Sequence, residues 1–532
     1  MNFILKNKRS LLLRNKWLVV IFLLAAFLRF YKLAEFPVHL GHDEVSQLYD
    51  AISIVQTGRD IYGNPYPFIF QSVNDFKPPF YTYITALSYM LFGWREVTVR
   101  IPGAFFGTLS VLGVYFFVKQ FLKKEWIAYS AAILTAISPF EIFYSRKSFE
   151  NQAGVLLMLV GFTYLAKYKD AKNIKFFYLG AILLGLASYV YFAQAVLTPI
   201  LLVSFFVIFW KKLKTLNVKP IIIFFLIITP LYYMIFVNPA TRNRSANVFI
   251  TQDARLKDSS IVSVVGYSAK RYINQFNPKH LFFDGLNMTE GKRDVGPLFP
   301  AIIPFLMVGI YFLLREKEGR GEKLFLLFWI LVGFIPSGLT FEDYSPHRTI
   351  AAFTVLNIVA AYGVYWFYRR FGKVALILLL ILFGANFIFF VKRYTVNYPI
   401  ERSEALHYPY REVAEYAWEN YDKYDTIVFD PKFGEFAPWI GTGAHYYLAF
   451  YGHYPPEMMQ KEFKIGDQRV RETTFGKFSI RAVFWPEDMK RKNTLIIASP
   501  WSLPPTITQE AQILKTFYFK TTAPAFYAIG LK

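Results

Sequence analysis

The sequence predicts an α-helical polytopic membrane protein with about 11 transmembrane helices and a C-terminal extracytoplasmic α/β domain. Of its 532 residues, 55% are hydrophobic and only 18% are charged, a composition too apolar for soluble domains alone. Eleven apolar stretches each approach the roughly 20 residues that cross about 30 Å of hydrocarbon. From about residue 392 the hydropathy falls, and short strand-like and helix-like patterns alternate with Pro and Gly.

The eleven predicted spans are nearly free of charged residues. They cover approximately residues 17–34, 98–118, 126–144, 152–166, 176–193, 194–210, 220–237, 297–314, 324–340, 349–367 and 373–391. A basic segment precedes the first span, but Arg29, Tyr31 and Lys32 stand where a signal peptide would have small residues before its cleavage site. We therefore interpret residues 1–16 as a cytoplasmic basic N-terminus that leads into an uncleaved first helix.

Basic connections decide the orientation of the spans. The stretch from Pro79 to Phe92 is short and contains Tyr, Thr and Ser, so that it can be either a span or an interfacial helix. If it does not cross, the short basic connections all lie in the cytoplasm with the basic N-terminus, as the charge rule for membrane proteins requires. These connections are Lys119–Lys124, Lys167–Lys175, Lys211–Lys219, Arg315–Lys323 and Arg369–Lys373. We therefore predict an interfacial helix over Pro79 to Phe92.

This topology divides the chain into three parts. After the N-terminus, residues 17–391 form a membrane module whose larger loops, 35–97 and 238–296, lie outside the cytoplasm. The first of these loops carries the predicted catalytic residues. Residues 392–532 form a soluble extracytoplasmic α/β domain, with a helix over 409–422 and strands over 425–429, 480–485 and 494–498. The predicted location is therefore the cell membrane, crossed many times.

Charge and cysteine content exclude several classes of protein. The net charge of +22 would suit nucleic-acid binding in a soluble protein, but the Lys and Arg residues are spread between apolar spans, so no nucleic-acid partner is predicted. The chain has no cysteine, which excludes disulfides, thiolate metal sites and thiolate nucleophiles.

Two adjacent carboxylates, Asp43 and Glu44, follow the first span directly. Apolar residues then recur with helical spacing as far as Gly58, so the pair lies at the start of an amphipathic helix on the membrane surface. Asp43 can cap that helix while Glu44 complements its dipole. Asp43 can equally act as a general base at the interface, where an acceptor from water meets a donor carried by a lipid.

Lys77 opens the predicted interfacial helix, beside Asp75 and the pair Pro78-Pro79. A lysine here can snorkel to any lipid headgroup, or it can hold one specific phosphate as a point charge. The aromatic side chains that follow can stack on sugar or prenyl groups, although packing in the core or the interfacial belt is the more common role. The candidate substrate contacts near these groups are His42, Asp75, Tyr81 and Tyr83.

Further cationic residues are predicted to emerge on the same side as the carboxylates. Arg146 stands at the outer end of the third span, where an ion pair with Glu150 is the simpler interpretation. His347 and Arg348 precede the tenth span and together offer two phosphate-binding donors. With Lys77 and Arg100, these residues suit a donor activated by a phosphate group.

The motifs resemble those of a known family. They are HDE at 42–44, KPPFYTY at 77–83, the segment from Phe92 to Gly103, ISPFEIFYSR at 137–146 and SPHRTIAAF at 345–353. In combination they resemble the bacterial members of glycosyltransferase family 39, related to dolichyl-phosphate-mannose protein mannosyltransferases and lipid A aminoarabinose transferases. The resemblance covers about residues 15 to 390 and implies a fold of the GT-C type.

The resemblance implies an inverting glycosyltransferase that moves a hexosyl or pentosyl group from a polyprenyl-phosphate donor to an acceptor hydroxyl outside the cytoplasm. It implies that Asp43 is the catalytic base, that Glu44 supports it and that Lys77 contacts the carrier phosphate, with Arg100, Arg146, His347 and Arg348 as further phosphate-binding residues. Relatives often have Glu directly before this lysine, sometimes with a metal, whereas this chain has Phe76 there. No metal or other cofactor is therefore predicted.

Two alternatives from other classes stay open at this point. A transporter or flippase for a lipid-linked substrate would normally carry charged residues within its spans, which these spans largely lack. A membrane oligosaccharide ligase would share the topology but use another donor. The expected partners of the glycosyltransferase are the polyprenyl-phosphate sugar, membrane lipids and an acceptor that is a protein, a lipid or a glycan.

Overall fold

In the computed structural model the chain divides into two units, each built from segments that are distant in the sequence. The structure describes residues 16–72, 75–213, 217–237, 250, 253, 256, 259–286, 288, 294–340, 342, 344–465 and 472–531. The first unit comprises Met1–Tyr31, Ile101–Asn287 and Gly291–Arg393. The second comprises Lys32–Arg100, Met288–Glu290 and Tyr394–Lys532. Residues 238–249, several further residues of the predicted loop 238–296, and the N-terminal residues 1–15 lie outside the described residues.

Helices dominate the chain as far as residue 392. In chain order they are α1 Lys16–Phe30, α2 His42–Thr57, α3 Pro79–Phe92, α4 Val97–Leu122, α5 Glu125–Ile137, α6 Pro139–Ser145, α7 Asn151–Ala171, α8 Ile174–Ser188, α9 Phe192–Phe209, α10 Lys219–Phe236, α11 Ile261–Asn274, α12 Ile303–Arg315, α13 Arg320–Gly333, α14 Ile335–Gly338, α15 Ile350–Phe371 and α16 Lys373–Lys392. Each of the eleven predicted spans coincides with at least one of these helices.

Fewer helices are long and apolar enough to cross a membrane than the eleven that were predicted. Within the described ranges six helices meet both conditions, or seven if α5 and α6, which are bent by 55° at Ser138, count as one broken span. Two shorter apolar helices are α8 and the segment Pro300–Arg315. The helix over Pro79 to Phe92 has only 14 residues, about 21 Å at 1.5 Å per residue. The predicted class of multi-pass helical membrane protein is confirmed, while the number eleven stays a prediction.

The second unit contains a mixed β-sheet. Its strands are β3 Thr426–Phe429, β6 Lys464–Ile465, β7 Thr473–Phe475, β8 Phe478–Ile480, β9 Thr494–Ala498, β10 Ile513–Tyr518 and β11 Pro524–Leu531, in the spatial order β10-β11-β9-β3-β8-β7-β6. The central strand β3 is parallel to both neighbours, so that Val428 pairs with Ile496 and with Ser479. Two strand pairs complete the β-structure among the described residues: β1 Phe70–Ser72 with β2 Asp75–Lys77, and β4 Lys432–Phe433 with β5 Trp439–Ile440.

Helices α17 Tyr398–Glu401, α18 Tyr410–Glu419, α19 Ala444–Tyr451, α20 Pro456–Glu462, α21 Trp485–Asp488 and α22 Ile507–Glu510 accompany the sheet. The helix expected over 409–422 and the strands expected over 425–429 and 494–498 are present. The third expected strand is wrong beyond Ile480, because Trp485 and Pro486 open α21 instead. Proline suits the first turn of a helix, where its missing N–H leaves no hydrogen bond unmade.

The core of the second unit joins two distant parts of the sequence. Val45 and Tyr49 of α2 belong to the same buried apolar cluster as Phe429 of the sheet. The Tyr49 hydroxyl donates to the carbonyl of Tyr454 at 2.7 Å, and the Tyr447 hydroxyl donates to the carbonyl of Leu40 at 2.8 Å. The first outer loop, which the sequence analysis assigned to the membrane module, therefore packs with the C-terminal region.

Close helix packing in the first unit depends on glycine. A Cβ atom at Gly309 of α12 would overlap the carbonyl oxygen of Val359, and one at Gly363 of α15 would overlap that of Phe305. Small residues allow membrane helices to approach closely and gain dispersion energy. Glycine therefore sets the distance between α12 and α15.

The substitution Gly363→Ala tests this packing. We expect it to lower the stability of the detergent-solubilised protein by about 1–3 kcal/mol, because the backbone of α12 must move to admit the methyl group. Gly384→Ala in α16 is the control, since nothing lies within 4 Å of a Cβ there. Thermal unfolding followed by tryptophan fluorescence should separate the two variants, and equal midpoints would contradict the proposed contact.

Candidate active site

The paired carboxylates stand in the first turn of α2, but they have different surroundings. Gly41 is the N-cap residue of this helix. Its N–H donates to Oε2 of Glu44 at 2.9 Å, which is the bond that the third residue of a helix makes in a capping box. The N-cap position thus belongs to Gly41, two residues before Asp43. Asp43 therefore does not cap the helix, and its side chain is 46% exposed.

Asp43 forms an ion pair with Lys77. Oδ1 of Asp43 lies 2.7 Å from Nζ of Lys77, whose side chain is only 8% exposed. The His42 imidazole approaches the same carboxylate oxygen, with Nε2 at 3.6 Å. The site thus presents an accessible carboxylate beside an ammonium group that the protein encloses on most sides.

The short hairpin of β1 and β2 positions Lys77. Lys77 pairs with Phe70 across the two strands, and Ser72 opposes Asp75. The hydroxyls of Ser72 and Ser46 share a hydrogen bond of 2.8 Å, which ties the hairpin to α2. The side chain of Asp75 lies outside the described part of the structure, so its predicted substrate contact stays a prediction.

Glu44 forms a buried ion pair with Arg100. Nε of Arg100 donates to Oε1 of Glu44 at 3.0 Å, and the side chains are 0% and 7% exposed for Arg100 and Glu44 respectively. The remaining guanidinium nitrogens donate to the carbonyls of Leu33, Pro37 and His39 at 3.3, 2.8 and 2.7 Å. Every nitrogen of this buried guanidinium donates a hydrogen bond within the protein. The predicted contact of Arg100 with a donor phosphate is not among these bonds.

The two tyrosines singled out as candidate substrate contacts bond to backbone carbonyls. The hydroxyl of Tyr81, a buried residue, donates to the carbonyl of Val99 at 2.9 Å. The hydroxyl of Tyr83 donates to the carbonyl of Pro67 at 3.0 Å, and its ring meets that of Phe70 edge to face. In the described structure both side chains hold the hairpin and α3 in place.

Sequence reasoning missed a second polar cluster in this unit. The Tyr451 hydroxyl donates to Oε1 of Glu96 at 2.8 Å and lies 3.3 Å from Nε2 of His39, while Arg411 pairs with the same glutamate. Burial lowers the pKa of His39 to about 3, so its imidazole is neutral at physiological pH. Glu96 and Arg411 are more than 300 positions apart, so no sequence spacing could have indicated the pair.

The other predicted site residues lie in the first unit. Arg146 follows α6 and donates from its guanidinium to the carbonyls of Leu28 and Arg29 at 3.0 and 3.1 Å. The His347 carbonyl accepts a hydrogen bond from the Asn151 side chain. Each of these contacts connects different helices, so Arg146 and His347 have defined positions.

Arg29 is a further buried charge that sequence reasoning missed. Its guanidinium donates to the carbonyls of Thr135 and Ala136 at 3.3 and 3.1 Å, just before the break between α5 and α6. Glu141 of α6 accepts from Thr354 at 2.6 Å and from Gln152 at 2.9 Å. A broken helix leaves carbonyls without partners inside the membrane, and Arg29 satisfies two of them. The Ser138-Pro139 pair was the signal for this break.

No three or more His, Asp or Glu side chains within the described ranges form a group that could hold a metal ion. The chain also lacks cysteine. The described side chains at the start of α2 offer a carboxylate, an ammonium group and an imidazole.

The burial of the ion pair between Glu44 and Arg100 predicts a large loss of stability when Glu44 is replaced. We expect Glu44→Gln to destabilise the protein by about 3–5 kcal/mol, because it leaves the Arg100 charge buried without its counter-charge. Asp43→Asn makes the same chemical change at a half-exposed position and should cost less than about 1 kcal/mol. Thermal unfolding midpoints measure both, and a midpoint for Glu44→Gln close to that of Asp43→Asn would argue against the pair as a structural anchor.

A buried histidine predicts how stability depends on pH. His407 is buried among the rings of Tyr410, Phe433, Trp439 and Tyr447, at centroid distances of 5.0 to 5.7 Å. Burial first, then electrostatic interaction with His42 and His39, lowers its pKa well below the ordinary value of 6.5. The folded state thus binds fewer protons than the unfolded state, so stability must be lost as the pH falls below about 6.5.

We expect the unfolding midpoint of the native protein to fall between pH 7 and pH 4.5. The variant His407→Phe should show a shallower fall of the midpoint, because phenylalanine cannot bind a proton on unfolding. It still places an aromatic ring in the same buried position. His453→Phe, at an exposed histidine of the same unit, is the matched control. Parallel pH curves for His407→Phe and the native protein would refute the assignment.

Residues 76–234 match the family model of dolichyl-phosphate-mannose-protein mannosyltransferase, a match that includes Lys77, Arg100 and Arg146. The match covers less than a third of the chain, and Asp43 lies outside it. None of the curated protein sequences matches this chain significantly.

Three solved structures share the fold. ArnT from Cupriavidus metallidurans in the apo state aligns with a TM-score of 0.58 and 13% identity over 97% of this chain and 98% of that protein. ArnT bound to undecaprenyl phosphate aligns with a TM-score of 0.55 and 13% identity over 96% and 98%. The archaeal oligosaccharyltransferase AglB from Archaeoglobus fulgidus, in complex with an inhibitory peptide and a dolichol-phosphate, aligns with a TM-score of 0.55 and 13% identity over 82% and 63%.

This chain therefore spans less than two thirds of the length of AglB, but nearly the whole length of ArnT. At these identities the likeness concerns the fold alone. The resemblance to glycosyltransferase family 39 drawn from the motifs is confirmed by the match over residues 76–234, and the chain has a membrane fold of the GT-C type.

Proposed function

We propose that this chain is an inverting membrane glycosyltransferase that moves a sugar from a polyprenyl-phosphate donor to an acceptor hydroxyl. The observation that carries the proposal is the ion pair of Asp43 and Lys77, in which an accessible carboxylate lies 2.7 Å from an enclosed ammonium group. A base that must meet an incoming acceptor has to be exposed, whereas a cation that binds a charged leaving group acts more strongly when water is excluded.

Asp43 is the proposed general base. Its carboxylate takes the proton from the acceptor hydroxyl as the hydroxyl oxygen attacks the anomeric carbon, and the bond from that carbon to the phosphate oxygen breaks. One attack on the face opposite the phosphate inverts the anomeric centre. His42 lies 3.6 Å from the carboxylate and is a proposed acceptor contact on the exposed side.

Lys77 is the proposed contact for the departing polyprenyl phosphate. Charge develops on the phosphate oxygens as the bond breaks, and a preorganised ammonium group stabilises that charge without reorganising solvent. The predicted donor-phosphate contacts Arg146, His347 and Arg348 belong to the same proposal. Glu44 and Arg100 are proposed as positioning residues, because they form an ion pair with each other and Arg100 also donates to backbone carbonyls.

The comparisons support the proposed donor class. The matched family is that of dolichyl-phosphate-mannose-protein mannosyltransferase, and two of the three similar solved structures hold undecaprenyl phosphate and a dolichol-phosphate. The basic connections Lys119–Lys124 and Arg369–Lys373 support a cytoplasmic side opposite to Asp43. We therefore propose that transfer takes place on the extracytoplasmic side of the cell membrane.

Substitution at the carboxylate tests the mechanism. We expect Asp43→Asn to lower the rate of sugar transfer by about 10²- to 10⁴-fold, because the amide cannot accept the proton. Lys77→Met should raise the donor KM as well as lower the rate. The assay measures transfer from radiolabelled polyprenyl-phosphate sugars by the purified protein in liposomes.

Glu35→Gln is the matched control. It makes the same class of change in the same loop, at a carboxylate that pairs with Lys32 on the surface, with Oε2 and Nζ 2.8 Å apart. Its transfer rate should equal that of the native protein. Full activity of Asp43→Asn would remove Asp43 as the base.

A further inference from the structure

Helix α11, Ile261–Asn274, turns an apolar face outward. At 100° per residue, Val262, Val265 and Ile273 fall on one side of this helix, with Ile261 at its edge. These four side chains are 61% to 83% exposed. Four apolar side chains this exposed on one helix would be unfavourable in water, at roughly 25 cal/mol for each Å² of apolar surface.

The opposite face of α11 is polar and anchored to the first unit. Arg271 is buried and donates to the carbonyl of Thr340 at 2.8 Å, and its guanidinium lies 3.2 Å from the carboxylate of Asp253. Gln275, just beyond the helix, is buried as well. Polar groups facing the protein and apolar groups facing away form the reverse of the pattern on the surface of a soluble domain.

The helix lies beside the end of a membrane-spanning segment. It packs against α14, which ends the candidate span Arg320–Gly338. The Tyr272 hydroxyl donates to the carbonyl of Leu331 within that span at 2.8 Å. At Gly338 an added Cβ would lie 3.0 Å from Cα of Tyr272, so the two backbones approach closely. Helix α11 therefore lies beside the end of this candidate span.

We propose that α11 docks on the membrane surface with Val262, Val265 and Ile273 in the lipid, and that this contact holds Arg348 in place. Lipid is the occupant because the face carries no charge, and because Lys270, on its border, can extend its ammonium group to the headgroups. A face that received a soluble protein would need polar groups around its apolar centre on all sides.

Three hydrogen bonds connect Gln275, at the end of α11, to Arg348 through Ser337 and Ser345. The Ser337 hydroxyl donates to Oε1 of Gln275 at 2.7 Å, and the Ser345 N–H donates to the Ser337 oxygen at 3.1 Å. The Arg348 guanidinium in turn donates to the Ser345 hydroxyl at 3.2 Å. The link to donor binding rests on the proposed function, in which Arg348 contacts the donor phosphate, whereas the docking of α11 does not.

Single-cysteine labelling tests the docking directly. The chain has no cysteine, so one cysteine introduced by Val262→Cys or Ile273→Cys gives a unique site for a spin label. In liposomes we expect both labels to collide with dissolved oxygen and to be shielded from a water-soluble nickel chelate. Ser263→Cys and Lys270→Cys, also exposed but on the polar border, are the controls and should be accessible to the chelate.

Two results would overturn the docking. Chelate accessibility at Val262 and Ile273 equal to that at Lys270 would place the face in water. Protection from both oxygen and the chelate would place it against a protein. Neither result depends on any sugar transfer, so failure of the proposed function leaves this measurement intact.

Transfer kinetics test the connection to Arg348. We expect Val262→Asp to raise the donor KM about five- to tenfold, the size of one lost hydrogen bond, while kcat changes less. Ser337→Ala should raise KM by the same factor and leave the label at Ile273 in lipid. Ser263→Asp is the control and should leave KM unchanged. An unchanged KM in Ser337→Ala, with native transfer intact, would overturn the connection.

Discussion

The buried ion pair of Glu44 and Arg100 is the interaction on which the candidate site depends. It joins the first turn of α2 to the start of α4, and the same guanidinium binds the carbonyls of Leu33, Pro37 and His39. One side chain thus sets the path of the chain from the first helix to α2. Glu44 also accepts the N–H of Gly41, the N-cap residue of α2.

Two neighbouring carboxylates therefore take opposite roles. Glu44 is buried and forms an ion pair with Arg100, whereas Asp43 is half exposed and forms an ion pair with Lys77. A charge that is fully buried with a partner is costly to disturb and suits a structural anchor. A charge that keeps access to water suits chemistry, since an acceptor can reach it. The adjacent residues differ in this way because successive side chains on a helix point about 100° apart.

Lipid imposes the second constraint on the molecule. Arg29 donates to carbonyls that the break between α5 and α6 would leave without hydrogen-bond partners. Inside a membrane no water can replace those hydrogen bonds, so each unpaired carbonyl would be costly. The outward apolar face of α11 follows from the same cause, because the surrounding medium there is hydrocarbon and not water. The hydrogen bonds of Arg29 in α1 and of Arg271 in α11 are consequently directed into the protein. Beyond α11, hydrogen bonds continue from Gln275 through Ser337 and Ser345 to Arg348.

The sequence by itself determined the membrane class, the helices of the apolar stretches, two of the C-terminal strands and the Asp43 and Lys77 motifs, because apolar runs and short motifs are local properties of the chain. It could not show that Arg100 is spent on Glu44, that Glu96 meets Arg411, or that the first outer loop shares a core with the sheet. Those outcomes depend on contacts between residues tens to hundreds of positions apart. Only the tertiary structure decides which charge is neutralised inside the protein and which one stays accessible for reaction.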